Sequence, residues 1–416
     1  MAKSVILHPD RLFPSDTGVR NIARALHSTV ENLPIISPHG HVDAHMIADD
    51  TPFPDPTALL LSPDHYVTRL LHSHGVPLDQ LRVGGSTGAT AREAWTTLCT
   101  NWNLLDGTAS GYWLSLALAT VFGIDEVPTA SNATELYDAV SEFWLDGFSE
   151  RAERLIQEAG DGLAGYHGYI QGMANRRQYF VEHGAVSSDH GVHTPRTVKL
   201  DQAEAARLFE KGMAGTATRE EALIFEANMT YQPAAMAVED GLVMTMHPGI
   251  HRNTHAQTLA QFGPDTGHDI PFAVDYATGL QPLLNDFGTA KGFHFIPFTT
   301  DETVFSREIA PLAGFYPSVF IGAPWWFLDA PDSMLRFRSA VTETAGFSRS
   351  SGFVDDTRAF CSIPARHDAS RRVEASFLAR LVAEHRVSEE RAHEIIIDLV
   401  DTSPRRAFKM GERPGG

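Results

Sequence analysis

The feature that most constrains this chain is a regular alternation, through its second half, of short apolar runs and longer helical patterns. Four of the five apolar runs are followed at once by polar residues, and segments with apolar residues at helical spacing separate each run from the next. The runs occupy 185–188, 242–246, 294–298, 319–322 and 352–354, and the helical segments occupy 202–212, 219–239, 276–287, 302–313 and 333–345. Alternating units of this kind form a parallel sheet, and this many of them predict an α/β fold, the closed (β/α)8 TIM barrel.

Additional helices are predicted on either side of these units. An opening helix at 16–30 leads into a short buried strand at 35–37. Helical spacing then recurs at 64–74, 90–102, 112–122, 133–145 and 169–183, and two amphipathic helices at 369–384 and 389–399 follow the last unit at the C-terminus. We therefore expect a single barrel domain over 1–416, with a mostly helical insertion at about 64–165.

The balance of charge limits the partners that the protein can bind. The 33 Lys and Arg residues against 52 Asp and Glu give a net charge of −19, and a surface of that sign repels nucleic acid and anionic lipid. Two cysteines are too few for a disulfide scaffold, and the sequence has neither a bilayer-spanning apolar run nor a signal-peptide pattern. We expect a cytoplasmic homo-oligomer that binds a small substrate and neither nucleic acid nor membrane.

Candidate metal ligands stand where three of the predicted strands end. His39 and His41 follow the first strand, and because residues two apart in an extended segment point to one side, both imidazoles can reach a single ion. His247 follows the second apolar run of the repeat, and Asp356 comes just after the last one. Three imidazoles and a carboxylate suit one divalent ion, with zinc expected first. A His-x-His pair is also typical of a surface turn, and an aspartate such as Asp356 is equally typical of a helix cap.

Seven short motifs occur in an order that is typical of one enzyme family. They are S-P-H-G-H at 37–41, D-H-Y-V-T-R at 64–69, G-A-V-S-S-D-H-G at 184–191, T-M-H-P-G-I-H-R-N at 245–253, G-P-D-T-G-H-D at 263–269, W-W-F at 325–327 and D-D-T-R-A-F at 355–360. On these motifs the chain resembles the uronate isomerases (glucuronate isomerases), a branch of the amidohydrolase superfamily. The family's longer middle section, with a T-T-D-D-P strand and an arginine in F-R-P, has no counterpart between Gly123 and Gly184. The chain therefore resembles a short or divergent member.

The resemblance implies an aldose–ketose isomerase. Such an enzyme interconverts D-glucuronate or D-galacturonate with D-fructuronate or D-tagaturonate by proton transfer through an enediol. The resemblance also implies one divalent ion held by His39, His41 and Asp356, with His247 as a nearby ligand or substrate contact. The partner is then a small acidic sugar.

The same resemblance implies roles for other residues. His65 and Tyr66 match the family's proton-transfer pair, and a cation beside the phenol is expected to lower its pKa. Arg358, two residues after Asp356, is expected to offset charge on a substrate oxygen. The remaining candidates orient the substrate or wall the pocket, and they are Asp189, His190, Arg252, Trp325 and Trp326.

Two other classes of function compete with the isomerase. A metal-dependent hydrolase or lactonase on the same scaffold needs an activated metal-bound water, and the His-x-His pair does not separate the two enzymes. Tyr66, Trp326 and Arg358 favour isomerisation, because simple hydrolysis has no need of that trio. A non-catalytic sugar-binding protein is the third class, and it has no need of metal ligands and an acid/base pair at the catalytic face of a barrel.

Overall fold

The structure is a computed structural model that describes residues 7–42, 55–122, 124, 126–133, 157, 159, 161–214 and 216–411. Its central feature is a parallel sheet in which β1 (Ser187–Gly191) pairs with β2 (Val243–His247), and β2 pairs in turn with β5 (Phe295–Pro297). Two isolated parallel bridges, Phe295 to Val319 and Ile321 to Ser350, continue the same order. Neighbours in the sheet are therefore successive in the chain, as βα units require. A separate antiparallel pair joins β3 (Ile250–His251) to β4 (Ile270–Pro271).

Helices surround this sheet and account for most of the described residues. The α-helices are α1 (Thr17–Val30), α2 (His65–Ser73), α3 (Ala91–Thr100), α4 (Ala109–Thr120), α5 (Gly165–Glu182), α6 (Gln202–Met213), α7 (Arg219–Asp240), α8 (Ala256–Phe262), α9 (Tyr276–Gly279), α10 (Gln281–Phe287), α11 (Ala310–Phe315), α12 (Pro331–Ala345), α13 (Ile363–Ala383), α14 (Glu389–Ile397) and α15 (Ser403–Ala407). Short 3-10 or π turns lie at Thr57–Leu61, Leu78–Leu81, Val83–Gly85, Trp102–Leu105, Glu302–Val304, Phe305–Ile309, Phe360–Ser362 and Asp398–Thr402. In the part of the chain that is described, we find no helix of the length and apolarity that a bilayer crossing requires.

Most predicted helices are confirmed, but two of them are interrupted. The predicted helix at 276–287 is split into α9 and α10, and the one at 302–313 becomes a 3-10 turn, a π turn and α11. Pro282 and Pro311 lie in the first turns of α10 and α11, where a residue without an N–H starts a helix more easily than it continues one. The predicted helix at 133–145 lies, beyond Ala133, outside the described residues, as does much of the end of the predicted insertion.

Three predicted strands are less regular than expected. The runs 35–37 and 352–354 contain no strand, and the run 319–322 is reduced to the bridges at Val319 and Ile321. Gly352 has φ +76°, and its N–H donates to the hydroxyl of Ser350 at 3.2 Å instead of to a neighbouring strand. At Gly352 the prediction of a regular strand was wrong because a side chain takes a backbone group that a ladder would use.

Strands β2 and β5 are buried on both faces, and their alternate residues enter two different hydrophobic clusters. Met244 and Phe295 pack outward with helix residues such as Tyr276 and Phe337, whereas Val243 and Ile296 pack inward with Phe298, Phe320, Trp325 and Trp326. Successive side chains of a strand point to opposite faces, so this division follows from the period of two. The inner cluster lies beneath the polar residues that follow the strands.

The long helix α13 positions the segment that carries the His-x-His motif. It packs along α1 through a shared cluster that includes Leu26, Val30 and Leu378. The guanidinium of Arg371 in α13 donates to the carbonyls of Glu31, Leu33 and Pro34 at 3.1, 2.9 and 3.0 Å. These bonds hold the chain between α1 and the His-x-His motif against the body of the protein.

We predict that the ion pair between Arg338 of α12 and Glu374 of α13 is important for stability. Its shortest contact is 2.6 Å, and the two side chains are only 4% and 14% exposed. Glu374→Gln leaves a buried guanidinium without a counter-charge, so we expect the free energy of unfolding in urea to fall by about 3 kcal/mol. Glu394→Gln, in the exposed pair with Arg391, is the control and is expected to change it by less than about 1 kcal/mol. Equal small losses in both variants would contradict this prediction.

Candidate active site and metal centre

A cavity of about 340 Å³ opens where the inner cluster ends. Its walls come from the start of α2, from the loops at 252–253 and 264–265, and from the segments at 325–326 and 356–359. The polar and aromatic residues that line it are His41, Asp64, His65, Tyr66, Arg252, Asn253, Asp265, Trp325, Trp326, Asp356, Thr357, Arg358 and Arg366. The cavity therefore unites residues that are far apart in the sequence, and many of them are the predicted candidates.

The predicted metal ligands meet around the carboxylate of Asp356. Its Oδ1 lies 3.2 Å from Nε2 of His39 and 3.0 Å from Nε2 of His41, and its Oδ2 lies 3.8 Å from Nε2 of His247. The His39 and His247 rings stack with centroids 4.8 Å apart. Donor atoms of His39, His41 and Asp356 lie within 4.8 Å of one another, as do those of His39, Asp189 and His247.

The hydrogen bonding of these atoms fits a cation. Nε2 of His39, Nε2 of His247 and both oxygens of Asp356 are buried but have no hydrogen-bond partner. Buried polar atoms are nearly always paired, and a cluster of unpaired lone pairs is what a divalent ion would satisfy. Burial acts to raise the pKa of Asp356, but the neighbouring imidazoles of His39 and His41 outweigh it and hold that pKa below its usual range. The carboxylate is therefore ionised, as a metal ligand must be.

Asp189 acts on His247 and does not line the cavity. Its carboxylate lies 2.7 Å from Nδ1 of His247 and accepts a bond of 2.6 Å from the hydroxyl of Thr245. A carboxylate on one ring nitrogen orients the imidazole and leaves the other nitrogen, here Nε2, free to face Asp356. His190, the next residue of β1, points to the opposite face, where its Nε2 lies 3.2 Å from the hydroxyl of Ser188. The structure thus brings Asp189 to the metal centre and places His190 away from it.

His65 and Tyr66 lie side by side at the start of α2. The carboxylate of Asp64 caps this helix by accepting the Tyr66 N–H at 3.0 Å, and the rings of His65 and Tyr66 stack with centroids 5.0 Å apart. Burial and, secondarily, the charge of Arg358 lower the pKa of His65 to about 3. Burial together with the charge of Asp329 raises the pKa of Tyr66 well above its usual value. The expectation that a cationic His65 lowers the pKa of Tyr66 was therefore wrong, because both side chains are desolvated and neutral.

Two arginines share one carboxylate at the cavity wall. Asp265 lies 3.1 Å from Nη2 of Arg358 and 3.2 Å from Nη1 of Arg252. The guanidinium of Arg252 also stands over the ring of Trp326 at 4.9 Å and lies 3.3 Å from Asp269. Arg358 lines the same cavity as Asp356, as the spacing of two residues predicts. Both guanidiniums also line the cavity, so each can contact an anionic substrate there.

The two tryptophans wall the cavity as expected, and each also contacts a candidate residue. Trp325 packs against the ring of His247 with centroids 4.5 Å apart, and Trp326 packs against His65 at 5.1 Å. Both are almost fully buried. Both tryptophans therefore line the cavity and also belong to the inner hydrophobic cluster.

The sequence analysis did not single out Asp265, Asp329 or Arg366 as site residues. Asp265 lies in the G-P-D-T-G motif and has φ +59°, so the motif marked the loop but not the role of its carboxylate. Arg366 is nearly fully buried and lines the cavity, but in the sequence it is one of many charged residues in a helical pattern. No local signal distinguishes it, because its partner Asp329 is brought to it only by folding.

Comparison with known proteins shows the family. The family model described as glucuronate isomerase matches residues 17–160 and 143–408. A uronate isomerase from Corynebacterium efficiens is 52% identical over 469 aligned residues, which cover 99% of this chain and 100% of that protein. A uronate isomerase from Phenylobacterium zucineum is 42% identical, with coverage of 99% and 98%. The first alignment is longer than the 416 residues of this chain, so the Corynebacterium protein has residues without a counterpart here.

Solved structures agree with this assignment. The crystal structure of glucuronate isomerase from Caulobacter crescentus superimposes with a TM-score of 0.93 at 41% identity, covering 99% of this chain and 98% of that one. The crystal structure of uronate isomerase from Thermotoga maritima has a TM-score of 0.88 at 24% identity, with coverage of 97% and 99%, and supports the fold alone. With its ordered motifs, the matching family model and these full-length similarities, the chain belongs to the glucuronate isomerase family.

Proposed function

We propose that the protein is a metal-dependent uronate isomerase. It interconverts D-glucuronate or D-galacturonate with the corresponding ketouronate, D-fructuronate or D-tagaturonate, by proton transfer through an enediol. The observation that carries this proposal is one cavity lined by His41 and Asp356 of the possible metal cluster, by the neutral phenol of Tyr66 and by two arginines. Membership of the glucuronate isomerase family supports it.

The proposed cofactor is one divalent ion, with zinc as the ion that the donor set suits best. His39, His41 and Asp356 would hold it, and His247, oriented by Asp189, supplies a further nitrogen. Imidazole and carboxylate donors are typical of zinc sites. Bound there, the ion supplies positive charge for an oxygen of the substrate.

His65 and Tyr66 are proposed to carry out the proton transfers. Isomerisation moves one proton between two carbons and another between the attached oxygens, so it needs neutral groups that exchange protons with both. The phenol of Tyr66 is neutral at physiological pH because its pKa is raised, and it can therefore donate a hydrogen bond or a proton to a substrate oxygen. Nε2 of His65 is buried without a partner at the cavity wall and is free to contact the substrate.

Arg358 and Arg252 are proposed to bind the negative charge of the substrate. A uronate carries a carboxylate, and the enediolate formed during the reaction carries more negative charge. In the structure both guanidiniums contact Asp265. A bound uronate competes with Asp265 for them, so a neutral aldose, which lacks this charge, is expected to bind poorly.

The alternative is a metal-dependent hydrolase or lactonase. The same ligands would serve such an enzyme, because an open metal site can activate water. It has no use for a neutral buried tyrosine next to two arginines, and the family comparison favours isomerisation. A non-catalytic sugar-binding protein is less favoured again, because binding alone does not need unpaired metal donors.

The closed eight-stranded barrel, as one domain over 1–416 with a helical insertion at about 64–165, is part of the proposal. It is supported by the bond of 3.1 Å from the His41 N–H to the Thr357 carbonyl, which brings the segment after α1 beside the segment after the last apolar run. It is also supported by the superposition on the Caulobacter crescentus enzyme. A cytoplasmic location and a homo-oligomeric state remain predictions.

The metal centre is tested by removing its first two ligands. We expect the purified protein to carry about one divalent ion per chain by elemental analysis, and His39→Ala combined with His41→Ala to lose it. His72→Ala combined with His74→Ala is the matched control, since these two exposed histidines have the same spacing. Full occupancy in the first double variant would refute the assignment of the ligands, provided that its circular dichroism shows a folded chain.

The reaction class is tested in deuterated water. D-glucuronate or D-galacturonate incubated with the metal-loaded protein is expected to give a ketouronate, and NMR is expected to show deuterium at C1 or C2 unless the proton is transferred internally. Tyr66→Phe keeps the ring but removes the hydroxyl, so turnover is expected to fall at least about 100-fold. Tyr179→Phe, on an exposed face of α5, is the control and is expected to turn over like the wild type. No ketouronate from either uronate would refute the isomerase assignment for these substrates.

The role of Arg358 is tested by a substitution that keeps its charge. Arg358→Lys loses the planar fork that binds two oxygens at once, so turnover is expected to drop about 10- to 1000-fold. Arg391→Lys, in an exposed pair on α14, is the matched control. If Arg358→Lys and the wild type turn over alike, Arg358 is structural and another positive group must stabilise the enediolate.

A further inference from the structure

A buried ion pair, to which the proposed function assigns no role, lies behind the ring of Tyr66. Nη1 of Arg366 in α13 lies 2.6 Å from Oδ2 of Asp329, and the two side chains are 2% and 7% exposed. Nε of Arg366 donates to the hydroxyl of Ser362 at 3.0 Å, and its guanidinium lies over the ring of Trp113 at 3.7 Å. The contacts with Ser362 and Trp113 therefore fix the position of Arg366, and its ion pair fixes the position of Asp329.

The other oxygen of Asp329 contacts Tyr66. Oδ1 of Asp329 lies 3.3 Å from the Tyr66 hydroxyl, which can donate its proton to this carboxylate. The backbone N–H of Phe327 donates to the same hydroxyl oxygen at 3.3 Å. Phe327 has φ +62°, and this left-handed turn is what directs its N–H toward the phenol. A phenol has one proton and two lone pairs, so one lone pair of Tyr66 remains for a substrate hydroxyl.

This arrangement bears on how Tyr66 can accept a proton. A phenol whose pKa is raised does not form a stable phenolate at neutral pH, so it accepts a proton only if it gives up its own at the same time. Asp329 is the carboxylate that accepts the Tyr66 O–H. Burial raises the pKa of Asp329 while the charge of Arg366 opposes that rise, so the carboxylate is a stronger base than one in water.

We propose that Tyr66 and Asp329 form a concerted proton relay, with Asp329 and Arg366 as positioning residues behind the catalytic tyrosine. The proton of a substrate hydroxyl bonds to the Tyr66 oxygen as the Tyr66 O–H bond breaks, and the released proton bonds to Oδ1 of Asp329. Tyr66 stays neutral, Asp329 becomes a carboxylic acid, and the substrate oxygen keeps the electron pair. The reverse transfer returns the proton to the ketose or aldose. This inference rests on the proposed function.

A double-mutant cycle tests the relay. Asp329→Asn keeps the shape and an acceptor oxygen but cannot take the proton, so kcat is expected to fall about 10- to 100-fold with KM changed less than about threefold. In a Tyr66→Phe background the same substitution is expected to cost less than about threefold more, because the relay is already broken. Equal losses in both backgrounds would overturn the proposal and make Asp329 structural.

The control is the other buried pair of the same kind. Glu374→Gln breaks the Arg338 pair, which contacts nothing in the cavity, so it is expected to lower stability and leave kcat within about twofold of the wild type. Should Asp329→Asn not fold, Arg366→Lys replaces it in the cycle, since it keeps the charge but loses the bond to Ser362. Its loss of kcat is expected to vanish in the Tyr66→Phe background, and persistence there would overturn the proposal.

A second measurement separates this inference from the proposed function. The protein is labelled with 3-fluorotyrosine, and the Tyr66 resonance among the nine tyrosines is identified by its loss in Tyr66→Phe. Asp329→Asn is expected to shift this fluorine resonance and Glu374→Gln to leave it in place. The fluorine shift can be measured without turnover. If the wild type forms no ketouronate, the isomerase proposal is refuted, but the shift still tests the contact between Tyr66 and Asp329. An unmoved resonance in Asp329→Asn overturns the relay even if the enzyme is active.

Discussion

The site depends on the contact of Asp356 with the imidazoles of His39 and His41. These residues come from opposite ends of the chain, and the contact is reinforced by the bond from the His41 N–H to Thr357 and by a hydrogen bond between Ser37 and Asp355. The Asp356 carboxylate and the His39 imidazole are buried without other partners, which is costly unless a cation joins them. The segment after α1, the segment after the last apolar run and the end of β2 are therefore tied together at one point, and the cavity wall is built from the loops around it.

Buried charge is used in two different ways in this protein. Between α12 and α13, Arg338 and Glu374 form a pair that contacts nothing in the cavity, and its effect is on packing and stability. The pair of Arg366 and Asp329 has the same shortest contact of 2.6 Å and similar burial, but one carboxylate oxygen contacts the hydroxyl of Tyr66. Because electrostatic interactions are strong where water is excluded, the second pair can control the state of a neighbouring proton, which an exposed pair could not do.

Much of the site could be predicted from the spacing of residues and from motifs, and the predictions that failed have clear physical causes. His39, His41, His247 and Asp356 lie close together, although only His247 ends a regular strand and the other three lie in irregular segments. The pKa argument for His65 and Tyr66 failed because the sequence shows adjacency but not desolvation, which makes both groups neutral. His190 was grouped with Asp189 by the motif, but adjacent residues of a strand face opposite sides.

The sequence by itself determined much of the alternation of strands and helices, the order of the strands in the sheet and the residue types that meet around Asp356. These follow from local periodicity and from spacings of two residues, which act over a few positions of the chain. Only the tertiary structure decided that Asp265 lies between Arg252 and Arg358, and that Asp329 and Arg366 stand behind Tyr66. Such contacts join residues from separate loops and helices, and their energy depends on burial and on distances of about 3 Å, which no local pattern encodes.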